Sequence, residues 1–373
     1  MSTIAEKNDK GLGMFPNWGA WQKSLIDETM ANYQRLAAIP SIPKRIEQVQ
    51  KGVTPRELVY EEDRLKLYRY IGSKPPKYKT PICFVFALVN RPYIVDLKED
   101  RSVIAHFVEA GFDTYLIDWG SPTRAERFLT LDDYINGYLR NVVDYLRERA
   151  EVDKVNLLGY CMGGTLATMF TAIHQELIEN LILLTTGIDF TKQEKAGLIS
   201  LWSDPRYFDV DKFVDTIGNV PAAFMQGSFL LLKPIQNLIQ KQIHLMENVH
   251  KEAFLDDFLY METWLNDNIP VPGEVYREFA KNLFQKNLLI QNKMTVGRHT
   301  VDLRKITCPL LNLMGRNDDL VPCCQSESLN DVVSSKDKEK IVWPAGHIGL
   351  AVGGKAQKEL WPRVVDWLGK RTE

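Results

Sequence analysis

No run of apolar residues in this chain reaches the eighteen or so needed to span a bilayer, so no transmembrane segment is expected. The stretch Met1 to Lys10 has no apolar core of the kind a secretory signal carries, and a cytoplasmic location is expected. No basic block stands out: 46 Lys and Arg face 48 Asp and Glu, which argues against a nucleic-acid partner. Cysteine is scarce. The five are Cys83, Cys161, Cys308, Cys323 and Cys324, an odd number without C-x-x-C spacing, so neither a disulfide framework nor a zinc site is expected, and no cofactor is called for.

What the chain does have is Gly159-Tyr160-Cys161-Met162-Gly163-Gly164, set between the apolar run Val155 to Leu158 and the helix-like stretch Thr165 to Ile173. This is the form of a nucleophile elbow, a strand that turns sharply into a helix and lifts one side chain out at the top of an α/β sheet. Glycines flank the turn because its backbone is strained and the helix must approach the strand closely. Here the lifted side chain is the thiol of Cys161.

An elbow of this type predicts an acid after a later strand and a histidine nearer the C-terminus. Pro309 to Met314 reads as a buried strand, and the loop Gly315 to Pro322 that follows offers Asp318 or Asp319 as the acid. Lys340 to Trp343 is a short strand, and Pro344 to Gly349 carries His347 between glycines, where the base belongs. Of the six histidines, His106, His174, His244 and His250 fall in helix-like patterns and are read as packing or surface residues, and His299, in a polar turn-like stretch, has no elbow partner in sequence order. Asp118 and Asp189 also follow strands. They rank below Asp318, since the first precedes the nucleophile and the second opens the following insertion. Cys83, Cys308 and the pair Cys323 and Cys324 are read as packing.

Strands at Pro81–Leu88, Thr114–Ile117, Val155–Leu158 and Leu181–Thr185 alternate with helices at Val103–Ala110, Leu131–Arg147 and Gly163–Ile173. An antiparallel lead-in, Glu57–Tyr60 and Leu65–Ile71, precedes them. The rhythm predicts an α/β fold of the α/β-hydrolase type, with a mostly parallel sheet covered by helices on both faces. The alternation stops after Gly187. Residues 188–299 are helix-rich and aromatic, with Trp202, Phe208, Phe224, Phe229, Trp264, Phe279 and Phe284 among them, and are read as a cap over the site. The expected organisation is an N-terminal helical segment at 1–52, a catalytic core at 53–187 and 300–373, and the cap between them. In the N-terminal segment Trp18 to Leu36 has helical spacing and docks either on a partner or on the chain's own core, with Pro40 and Pro43 expected to stop it. The apolar stretch Phe224 to Leu232 is read as cap packing.

An oxyanion hole needs one backbone N–H from the residue after the nucleophile and one from the loop after the first parallel strand. These are Met162 and, in Ala87 to Pro92, Val89 or its neighbour Leu88.

Together these residues resemble the catalytic subunit of the polyhydroxyalkanoate synthases, which polymerise hydroxyacyl groups from coenzyme A thioesters. The resemblance rests on the elbow at 159–164, Ala-Leu-Val-Asn-Arg-Pro-Tyr-Ile-Val-Asp-Leu at 87–97, Leu-Ile-Asp-Trp-Gly-Ser-Pro at 116–122, Leu-Thr-Leu-Asp-Asp-Tyr-Ile-Asn-Gly-Tyr at 129–138 and Gly-His-Ile-Gly at 346–349. It runs from about residue 52 to the end. The short N-terminal part is similar to class III and class IV enzymes, and the 129–138 and 307–312 stretches favour class III. The resemblance implies a Cys161, His347, Asp318 triad and (R)-3-hydroxybutyryl-coenzyme A as the chief substrate. It also implies a second, different subunit in a hetero-oligomer or homodimer, and attachment to polymer granules. Where the family often has a histidine, this chain has Asp319, and Asp318 aligns with the acid.

The residue types suit that chemistry. A thiol near an imidazolium ionises readily, and a cysteine acyl-thioester stays activated for transfer instead of being trapped as an ester. Dienelactone hydrolases have a similar elbow on shorter, capless chains. A thioesterase or depolymerase, or an inert granule scaffold on this fold, are the other readings, and the intact triad argues against the scaffold.

Overall fold

A computed structural model describes residues 18–192 and 203–372. Met1 to Lys10 and Trp202, both used above, lie outside the described residues.

The chain begins with α1 (Trp18–Ala38) and α2 (Ile42–Glu47). Pro40 and Pro43 do not stop the helical run as the sequence predicts. Each sits in the first turn of a new short segment, Ile39–Ser41 and then α2, where its missing N–H is not needed. The two helices dock on the cap. Arg45 pairs with Asp256 at 2.8 Å and Glu252 at 3.1 Å, while Ala38, Ile42 and Val49 pack on Val249, Leu255 and Leu259.

The body is built from β1 (Arg56–Glu62), β2 (Leu65–Tyr70), β3 (Tyr78–Val85), α3 (Val103–Glu109), β4 (Phe112–Asp118), α4 (Arg140–Ala150), β5 (Val155–Tyr160), α5 (Met162–Ile173) and β6 (Ile178–Leu184). α4 continues a wider π turn at Asp133–Leu139, so the expected Leu131–Arg147 helix is one helical run with a change of pitch. After β6 come α6 (Val210–Ile217), α7 (Ala222–Leu232), α8 (Lys241–Asn248), α9 (Glu252–Leu265) and α10 (Gly273–Glu278), then the two-residue strands β7 (Thr295–Val296) and β8 (His299–Thr300). The chain returns to the body with β9 (Leu310–Gly315), α11 (Cys323–Val332), β10 (Lys338–Trp343), α12 (Gly349–Val352) and α13 (Trp361–Gly369).

Eight strands form one sheet in the order β1-β2-β4-β3-β5-β6-β9-β10. β1, β2 and β4 pair antiparallel, and every pairing from β4 to β10 is parallel. The central strands read as unbroken apolar runs because helices cover both faces: all six residues of β5 and of β9 are buried. In register, Val85 faces Gly159, Tyr160 faces Leu184 and Gly315 faces Trp343. The carboxyl ends of β3, β5, β9 and β10, with β6 between β5 and β9, therefore finish along one edge, where α/β sheets place ligands.

Residues between β6 and β9 cover that edge. Their helices have small clusters of their own, Val210, Val214 and Ala280 in one, but Trp264, Val271, Val275 and Leu283 belong to the main core. Phe190, just past β6, packs tilted against Phe284 at 4.6 Å and edge-on to Phe279 at 5.9 Å between ring centres. Among the described residues no helix is long and apolar enough to cross a membrane.

Candidate active site

β5 hands its last residue, Tyr160, to a turn in which Cys161 takes φ +55° and ψ −123°, a conformation unfavourable for a side chain with a Cβ. Three hydrogen bonds hold it there: its N–H donates to the Leu184 carbonyl at 2.9 Å, and its carbonyl accepts from Gly164 and Thr165 at 2.9 and 3.2 Å. The glycines permit the approach. A methyl group on Gly163 would overlap the Val85 carbonyl at the end of β3, and one on Gly159 would overlap the Gly164 backbone. α5 is thus pressed against two strands, with its amino end directed at the thiol.

The loop after β9 places Asp318, and the loop after β10 places His347. The Asp318 carboxylate is fully covered; one oxygen accepts the N–H groups of Leu320 and Val321 at 3.0 and 2.9 Å, and the other accepts from His347 Nδ1 at 2.8 Å. A carboxylate only accepts, so Nδ1 carries the hydrogen and Nε2 is left for the thiol. Cys161 borders the same cavity as His347 and lies close enough to act on the charge of its ring. Burial alone pushes the imidazole down, but Cys161 and the Asp318 carboxylate outweigh it and hold the ring up to about 10. The three side chains predicted from the sequence are therefore one connected line.

Asp319 is not on that line. Its carboxylate turns outward to Lys233 of the α7 end, 2.5 Å away, which separates the two adjacent aspartates by direction. Asp118 binds the Gly120 amide at 2.9 Å, and Asp189 binds Thr191 and Asn287 at 2.7 and 2.8 Å. His299, in β8, lies 5.9 Å from His174 and away from the elbow. His250 sits in the turn after α8, not in a helix as its pattern predicts. Cys83 is buried and its thiol pushed up by burial; Cys308 is likewise pushed up to about 11, and all five cysteines are free.

Above the thiol is a cavity of about 550 Å³ lined by Cys161, Met162, His347, Ala87 and Val89 from the body and by Phe208, Leu230, Val271 and Phe279 from the covering segment. Met162 and Val89, the two amides predicted for an oxyanion hole, both border it. No group of three or more His, Cys, Asp or Glu that could hold a metal occurs among the described residues.

Two features of the site escaped the sequence reading. Tyr160 stacks on the His347 ring at 5.7 Å and donates its hydroxyl to the His347 carbonyl at 3.4 Å. Burial, with Cys161 and Asp318 nearby, pushes this phenol well above its usual range and keeps it a neutral donor. Its only signal was its place inside the elbow motif. Asn268, which meets Asn90 from the cap, had no local signal at all, because the two are 178 residues apart.

The α/β hydrolase fold family model matches residues 91–353. A soluble variant of yeast monoglyceride lipase superposes with a TM-score of 0.57 at 14% identity, covering 87% of this chain and 98% of its own. A Paleococcus ferrophilus monoacylglycerol lipase superposes at 0.52 and 16% identity, covering 82% and 99%. Among sequences, the poly(3-hydroxyalkanoate) polymerase subunit PhaC of Allochromatium vinosum is 43% identical over 87% of this chain and 91% of its own. Those of Haloferax mediterranei, at 41% over 95% and 70%, and Synechocystis sp., at 40% over 87% and 86%, agree. With its parallel sheet, its elbow and these relatives, the chain belongs to the α/β hydrolase fold family and, within it, to the poly(3-hydroxyalkanoate) polymerase PhaC subunits.

Proposed function

We propose that this chain polymerises (R)-3-hydroxyacyl-coenzyme A, chiefly the 3-hydroxybutyryl thioester, with Cys161 as nucleophile, His347 as base and Asp318 as its orienting acid. The observation that carries this is the connected line from Asp318 through His347 to Cys161 at the floor of an apolar cavity. His347 Nε2 takes the thiol proton, and the thiolate adds to the thioester carbonyl. The Met162 and Val89 amides receive the developing oxyanion. The carbon–sulfur bond to coenzyme A then breaks, and the imidazolium proton leaves with the coenzyme A thiol.

The acyl group is now a thioester on Cys161. A 3-hydroxyl from a second unit attacks it, its proton passes to His347 directly or with help from Asp318, and the new ester forms as the Cys161 thiol is restored. Thioester activation supplies the driving force, so the cycle draws on neither metal nor cofactor, and coenzyme A is only a product. The apolar covering supports this reading because an acyl-thioester must be shielded from water to wait for a hydroxyl. Granule attachment and a second subunit of the class III or IV kind belong to the same reading. The outward apolar residues Ile235, Leu238, Ile239 and Ile243 beside and on α8 support it.

Coenzyme A release from (R)-3-hydroxybutyryl-coenzyme A, followed together with product mass, tests the proposal with and without a candidate second subunit. Release that gives insoluble high-mass polyester and disappears in Cys161→Ala is the expected result. Release of free 3-hydroxybutyrate alone would make the chain a thiol hydrolase, and full activity in Cys161→Ala would remove the nucleophile assignment.

A further inference from the structure

The loop after β3, which carries Val89, is held from two directions. On the body side Trp119 donates its indole N–H to the Phe86 carbonyl at 2.8 Å, and α5 packs beneath Val85. These contacts end before Val89. From Asn90 onward the cap adds anchors of its own, beside the Arg91–Asp118 pair at 3.9 Å on the body side. Trp264 of α9, 5% exposed, donates its indole N–H to the Arg91 carbonyl at 2.7 Å. Asp267 accepts from the Tyr93 hydroxyl at 3.2 Å and faces the Arg91 guanidinium at 3.7 Å.

Asn268 makes the closest link. It forms an antiparallel backbone bridge with Asn90, its side-chain carbonyl accepts from the Asn90 amide, and its own amide donates to Gln226 of α7 and to the Leu265 carbonyl. Asn90 and Gln226 both border the cavity. An amide relay therefore runs from α7 through the segment after α9 to the residue next to the oxyanion donor.

We infer that Asn268, backed by Gln226 and Trp264, is a positioning residue that sets the Val89 amide, so that seating the cap and completing the oxyanion hole are one event. This rests on the reading of Val89 as the second donor. The chemistry explains what the arrangement achieves. Water attack on the acyl-thioester needs the same oxyanion stabilisation as transfer to a hydroxyl. A site that loses its second donor whenever the cap lifts is inactive toward water at the moment water can reach it. The cap thus guards the acyl-enzyme by disassembling the catalyst as well as by exclusion.

The test separates acylation from thiolate formation. Iodoacetamide alkylates a thiolate by displacement at carbon and develops no oxyanion, whereas acylation by (R)-3-hydroxybutyryl-coenzyme A does. In Asn268→Leu and Gln226→Leu, first-turnover coenzyme A release is expected to slow by about ten- to a hundredfold, below the loss for deleting a donor outright. Iodoacetamide alkylation of Cys161 is expected to stay within about twofold, since general disruption of the site would move both rates. Asn268→Asp keeps the acceptor for Asn90, and the Gln226 amide can turn to donate to it, so acylation is expected to recover to within about threefold of the parent. Unchanged acylation in Asn268→Leu, or alkylation falling in step with it, overturns the inference. Replacing Val89 by its α-hydroxy acid removes the N–H and keeps the side chain, at the cost of a weaker acceptor at the Leu88 carbonyl. If that ester acylates normally the oxyanion reading itself fails, and if it slows while Asn268→Leu does not, the inference alone fails.

Discussion

Asp318 and Asp319 are adjacent in the chain and differ in fate because the loop after β9 turns one inward under three hydrogen bonds and the other outward to Lys233. Asp318→Asn should let the imidazole hold its hydrogen on the wrong nitrogen and cut coenzyme A release by about 10³- to 10⁴-fold, whereas Asp319→Asn should stay within about twofold. Steady-state release in the two variants checks this, and equal losses would mean that the acid has been misassigned. His347 titrates near 6.5 when unfolded, by the usual value, and is held up to about 10 in the fold. The stability it contributes is therefore fully present below about 6.5 and lost as pH rises through about 10. Cys161→Ala removes the largest influence raising it, so the ring should titrate well below 10 in the variant. Histidine ring NMR reads this directly, and a ring still titrating near 10 would show that the thiol is not its partner.

At the scale of elements, the elbow was legible because its demands are local. Close packing of one helix on two strands requires missing Cβ atoms around the strained Cys161, and the chain supplies Gly159, Gly163 and Gly164 at the required spacing. Gly163→Ala forces α5 away from Val85, at a cost of about 1–3 kcal/mol by analogy with other overpacked sites. A drop in the urea midpoint together with slower Cys161 acylation is expected. A parental midpoint would mean that the helix does not rest on that carbonyl. The α1 to α2 run was less legible, since proline both ends a helix and begins one, and only the position of Pro40 and Pro43 in new first turns decided between the two.

For the whole molecule, the issue is what keeps the cap seated. The Lys233–Asp319 pair bridges cap and body, but its side chains are 44% and 58% exposed, so solvent screening limits it to less than about 1 kcal/mol. Phe190 is 5% exposed and packs on Phe279 and Phe284, which assigns the larger share to apolar contact. Lys233→Ala should shift unfolding by under about 1 kcal/mol, and Phe190→Ala by roughly 3–5 kcal/mol. In hydrogen exchange, Phe190→Ala should speed amides of 273–285 well before those of β5 and β9. Uniform acceleration would mean that cap and body unfold as one unit.

Local order was in the sequence: the strands of the eight-stranded sheet, the elbow, the order of nucleophile, acid and base, and Cys161, Asp318 and His347 as candidates follow from spacing, turn chemistry and short motifs, all set by neighbours within a few residues, whereas the two-residue strands β7 and β8 were not expected. Asn90 and Asn268, Tyr160 and the His347 ring, and Asp319 and Lys233 follow from no local pattern. They meet only because the parallel register brings four strand ends to one edge and folds a helical segment of some hundred residues back over it. A polar side chain has no sequence period that reveals its partner, whereas an apolar face does, so the three candidate residues could be named before folding and the contacts around them were decided by the tertiary structure.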